Sequence, residues 1–166
     1  MNKLFTRGMM FGAALTLLSV GPASAVGVNF GGQVDPVDVD SCTITLGDGS
    51  GNNGNGTLAL TPDLLTLSSL AADGGTSGFV TVKSTTGSHA LSVQAPNRWD
   101  TDSTGNSNPS FGATLSTGGN AITSGALMST VGTVNQDVAV TVDLTATQNQ
   151  TYSAGTYNAI VIVTCE

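Results

Sequence analysis

The sequence predicts an all-β chain, an immunoglobulin-like antiparallel β-sandwich, on three observations. Apolar residues alternate with Thr, Ser and other polar residues in short runs, most cleanly over 137–146, where Val138, Val140, Val142 and Leu144 face one way and Thr141, Asp143 and Thr145 the other. Turn-forming clusters of Gly, Asn, Asp and Ser separate these runs at irregular spacing, about seven strands in all. No apolar stripe of helical period extends over an ordinary helix length, and no repeat of fixed period points to a solenoid or propeller.

Taken in order, residues 1–25 read as a signal peptide. Lys3 and Arg7 form a basic start, 9–20 an apolar run too short to span a bilayer comfortably, and Ala23-Ser24-Ala25 a small-x-small cleavage site. The chain is thus expected to be exported, with 166 minus 25, or 141, residues left as one domain. Residues 26–40 form an extension: Val26, Val28, Phe30 and Val34 share one face of a strand, with Gly32 in the slot where a side chain is missing. Pro36 and the aspartates Asp35, Asp38 and Asp40 end that strand in an acidic connector.

The sandwich proper is expected over 41–166. Cys42, Ile44 and Leu46 alternate with Thr43 and Thr45 as a half-buried strand, and 48–56 (DGSGNNGNG) reads as a mobile loop with almost no side chain able to enter a core. The leucines of 58–70 fit either two short strands or a helical turn capped by Thr61-Pro62-Asp63. Runs 78–83 and 89–94, separated by a turn at 85–88, read as a β-hairpin. Polar 97–110, carrying Arg98 and Trp99, reads as a long surface loop, with Trp99 more readily packed over the sandwich end than exposed as a sugar platform, and weaker strands follow at 111–116 and 126–131 around Gly118 and Gly119. The last strand, 157–165, places Tyr157, Ala159, Val161, Val163 and Cys165 on one face and Ile160 and Ile162 on the other, a pattern that needs cover on both faces. It is expected to belong with strand 26–34, within one molecule or between successive molecules.

Composition excludes several functions. After cleavage only Lys83 and Arg98 stand against 11 acidic residues, a formal charge of −9 (2 minus 11). Such a surface repels phosphates and anionic lipid headgroups, so nucleic acid and membrane insertion are not expected. Cys42 and Cys165 form an isolated pair in an exported chain, and a disulfide between them is the simplest reading. The one histidine, His89, has no obvious acid-base partner, no Gly-x-Ser-x-Gly elbow occurs, and the single Glu after the leader is Glu166, so no enzyme activity and no cofactor are expected. One His and two bridged Cys cannot make a zinc site. The loop opening at Asp48 has Asn53 where an EF-hand needs Gly and Ala59 where it needs Glu; a solvated linker is the plainer reading there and at Asp35, Asp38 and Asp40.

Val28-x-Phe30-x-Gly32-x-Val34, then a short linker and Cys42-Thr43-Ile44, resembles the amino-terminal pattern of chaperone-usher fimbrial major subunits (pilins), and 155–163 resembles the alternating last strand of that family. There is some likeness also to spore-coat-U-type secreted β-sandwich domains. The resemblance covers about 35 residues at the two ends; Cys165 stands where these pilins usually have a penultimate Tyr, and no Cys occurs near Thr85, where their second one usually lies. What it implies is a sandwich missing its last strand, with a groove bordered by Tyr157, Ala159, Val161 and Val163. A periplasmic chaperone and then the donor residues Val26, Val28, Phe30, Gly32 and Val34 of the next subunit would fill that groove, an outer-membrane usher assisting. The expected function is therefore a fibre subunit supporting adhesion at the cell surface, built from copies of itself or related subunits. The alternative is a monomeric exported module that completes itself and binds carbohydrate or another surface component through the Trp99 loop.

Overall fold

The computed structural model describes residues 24–27 (backbone only), 41–47, 53–104, 108–132 and 134–166. Thirteen strands among them form antiparallel sheets, as the alternation predicts. One sheet has the order β1 (Ser24–Gly27), β13 (Ile162–Cys165), β6 (Ala90–Gln94), β10 (Ala126–Leu127). The second is built on β11 (Val138–Thr147). Along one edge of β11 lie β5 (Gly78–Ser84) and β4 (Thr66–Ser68) end to end, opposite 142–138 and 147–145; β8 (Ser110–Thr117) takes the other edge over 141–147. Outside these, β2 (Cys42–Leu46) pairs β5, β3 (Ala59–Leu60) pairs β4, and β9 (Asn120–Ile122) pairs β8. A two-stranded patch joins β7 (Thr101–Asp102) to β12 (Tyr157–Asn158).

The period-2 pattern explains the core. Val140, Val142, Leu144 and Ala146 of β11 are buried, as are Val80 and Val82 of β5 and Ile44 of β2; Leu91 and Val163 face them from the other sheet. A second cluster closes one end around Trp99, with Phe111 at 4.8 Å edge-on and Tyr157 at 5.3 Å between ring centroids. Tyr152 reaches back six residues to donate its hydroxyl proton to the Ala146 carbonyl at 3.0 Å, the corner that pins the exit of β11 in immunoglobulin-like sandwiches. Trp99 is 8% exposed, so it packs this end of the core and offers no exposed platform.

Several local expectations change. β5 and β6 do not form a hairpin: β5 is paired on both sides within its own sheet, so the turn at 85–88 carries the chain across to the opposite sheet. The leucine-rich stretch adopts the two-strand alternative, its turn held by the Asp63 carboxylate, which accepts from Thr61 Oγ1 and the Leu65 amide. After β10 the expected strand gives way to one helical turn, Met128–Val131. Described residues 53–56 are not free loop: the Gly54 carbonyl accepts the Phe79 amide at 2.8 Å, and a Cβ at Gly54 (φ +68°) would strike the backbone of Gly47 and Phe79. Only glycine permits that approach.

Candidate functional site

The expected last strand divides. Tyr157 and Asn158 pair β7, Ile162–Cys165 pair β6 and β1, and residues 159–161 between them belong to no ladder among the described residues. Beside this gap lies an open cavity of about 550 Å³. Residues 157–161 form one wall and 55–58 the other; Gly78, Val142 and Leu144 floor it, with Ser69 and Asp100 at its margins. It therefore sits on the seam between an edge of each sheet, with buried core side chains at its base.

The disulfide closes the same seam further along. Cys42 of β2 and Cys165 of β13 are bridged with their Cα atoms 6.2 Å apart, joining the two sheets as the cysteine count predicts. β1 runs antiparallel to β13 with Ala25 opposite Thr164, Val26 opposite Val163 and Gly27 opposite Ile162. Since β6 holds the other edge of β13, β1 occupies the seam edge, and its backbone lies close to β2 as well. The expected cleavage point after Ala25 falls inside β1, leaving Val26 and Gly27 of it.

The polar groups around the cavity are mostly satisfied. Ser69, 3% exposed, donates to Asp143 Oδ1 at 3.1 Å and accepts the Leu144 amide at 2.9 Å, spanning the break between β4 and β5 on β11. Tyr157 donates its hydroxyl proton to the Ser153 carbonyl at 2.8 Å, which holds the ring against Trp99 and Tyr152. The Tyr152 phenol is pushed up to about 12, chiefly by desolvation. Among the described residues, Asp100 is the one charged residue lining the cavity. A trough of mixed polar and apolar lining, with little charge and an unladdered backbone stretch at 159–161, suits an extended peptide, which brings both side chains and main-chain hydrogen bonds.

Of the predicted site residues, Tyr157, Ala159 and Val161 line this cavity; Val163 is fully buried beside it. Val26 lies in β1, whereas Val28, Phe30, Gly32 and Val34 fall outside the described residues, as do Asp35, Asp38, Asp40 and Asp48. His89 is half-buried before β6 and is not among the cavity residues. No group of three or more His, Cys, Asp or Glu placed to hold a metal occurs among the described residues, and no described helix is long and apolar enough to cross a membrane. The opposite wall at 55–58 and the floor at Gly78 and Leu144 were not foreseen; only pairing partners, not periodicity, would have revealed them. Comparison with protein families, characterised proteins and solved structures finds no match for this chain.

Proposed function

We propose that this chain is a structural subunit of an exported surface fibre, in which the strand at 26–34 of one copy completes the sandwich of the next. The observation that carries this reading is the position of β1 on the seam edge of β13, heading toward the cavity. Continued by counting, its register would set Val28 beside Val161, Phe30 beside Ala159 and Gly32 beside Tyr157, the glycine meeting the bulkiest of the three. Chaperone and usher as assembly partners rest on the pilin resemblance alone.

A second reading, a self-completed monomer that binds a surface component, is favoured by the fact that β1 pairs with its own chain. Chain length weighs against it. Residues 28–32 would run out along 161–157, and the eight residues 33–40 would then have to return to Ser41 beside the disulfide. That return is about 26 Å against a reach of about 30 Å for the nine steps from 32 to 41, so the connector would have to run nearly straight. A neighbour's strand needs no return.

The test is surface-sheared material run unboiled and boiled on a gel and probed for this chain. A ladder that collapses to one band on boiling is expected, and deletion of 26–34 should abolish it. A single band in both lanes would establish the self-completed monomer instead; a ladder that survives the deletion would sink strand exchange.

A further inference from the structure

A second unpaired edge lies away from the groove. β8 is covered by β11 along 110–116 but by β9 only along 115–117, so the outer edge of 110–114 is bare among the described residues. The direction of its backbone groups follows from β11. Leu144 exchanges hydrogen bonds with Ser69 on the β4 side, so the even residues of β11 turn their N–H and C=O that way and the odd ones turn theirs toward β8. In β8 the residues opposite the odd positions, Ser110, Gly112 and Thr114, are thus the ones bonded to β11. Phe111 and Ala113 point their N–H and C=O outward, four groups with no protein partner among the described residues.

From this we infer that β8 pairs with β8 of a second copy of this chain, antiparallel about a twofold axis through Gly112, giving one sheet continuous across both molecules. That register sets Phe111 opposite Ala113 of the other copy twice over, and each such pair exchanges two hydrogen bonds, so all four outward groups are satisfied at once. Side chains agree with it. The large Phe111 meets the small Ala113, Ser110 meets Thr114, and Gly112 meets itself at the close, non-hydrogen-bonded position where side chains crowd most. Edge strands normally avoid such pairing with charges, proline or bulges, and 110–114 carries no charged residue and no proline. In a chain this acidic, it is a place where two copies can meet without opposing carboxylates, so the association should strengthen as salt screens the rest. The contact is independent of the groove and of the N-terminal strand.

The test uses the purified exported chain. Gly112→Cys should give an intermolecular disulfide on a non-reducing gel, because residues opposed at that position have Cα atoms about 4.5 Å apart, within the range a disulfide spans. Gln150→Cys, exposed elsewhere, should not. Ala113→Pro removes an outward N–H and leaves the β11 ladder intact, the situation in which an edge strand tolerates proline. Two hydrogen bonds are lost per dimer, and sedimentation should show dimerisation weakened at least about thirtyfold. Should Ala113→Pro unfold the chain, Ser110→Lys with Thr114→Lys, both exposed, replaces it and must weaken the dimer likewise. Equal crosslinking at 112 and 150, or sedimentation unchanged in whichever edge variant folds, overturns the proposal. Loss of fibres on deleting 26–34 would leave it untouched.

Discussion

Removing the bridge between Cys42 and Cys165 should cost a large share of the fold's stability. The two residues are 123 positions apart, and the chain-entropy relation then assigns the cross-link about 5 kcal/mol at 25 °C. A domain of this size is stable by about 5–15 kcal/mol, so the tether is a third or more of the total. Urea unfolding of the chain with both cysteines replaced by alanine should show a midpoint lower by about 2.5 M, taking a slope of about 2 kcal/mol/M. Part of that shift would be packing, since Cys165 is 3% exposed and its sulfur leaves a small void. Reduced wild-type chain, which keeps both sulfurs, isolates the tether. If reduction moves the midpoint by less than about 0.5 M at unchanged slope, the entropic argument fails for this fold. If denatured wild-type chain already titrates two free thiols, the bridge itself is absent.

Two further outcomes follow from buried polar contacts. Ser69→Ala leaves the Leu144 amide unpartnered where β4 and β5 abut, and should lower stability by about 1–3 kcal/mol in the same unfolding assay. Tyr152→Phe removes the bond to the Ala146 carbonyl and should cost a similar amount near neutral pH. The raised phenol adds a pH signature. The unfolded tyrosine gives up its proton near pH 10 and the folded one near 12, so the folded state holds the extra proton between them. Wild-type stability should therefore fall as pH rises from about 10 to about 12, and the gap to Tyr152→Phe should shrink over that window; a constant gap would contradict the shift.

The sandwich was legible because most strands bury one face, and alternation reports that directly. Val140, Val142 and Leu144 share one face in the sequence pattern and are buried in the structure. Pairing was less legible. The turn at 85–88 has hairpin composition, yet both edges of β5 are taken by β2 and β11, so β6 must cross to the other sheet. Trp99 sits in a polar run that reads as surface loop, yet it packs over the end of the sandwich as a lone Trp there is expected to; its partners Phe111, Tyr152 and Tyr157 have no local signal. Gly54 looked like one more loop glycine; its close approach to Gly47 and Phe79 is a tertiary fact with no local signal.

The break at 159–161 has its cause outside the strand that breaks. Nothing within 157–165 predicts an interruption, since its residues are β-formers throughout apart from Asn158 and the alanine. The cause lies just past the end of β6. With Gln94 opposite Ile162, the next steps would bring Ala95 to Val161 and Pro96 to Ile160. Proline has no N–H to give, so the ladder must end there. Pairing resumes only where the Asp100 amide reaches the Asn158 carbonyl at 2.8 Å and β7 takes over. Between the two ladders the last strand loses its inner neighbour just where the cavity opens on its seam side. One proline just past a partner strand thus marks where the groove begins, and it could be recognised only once the pairing register was known.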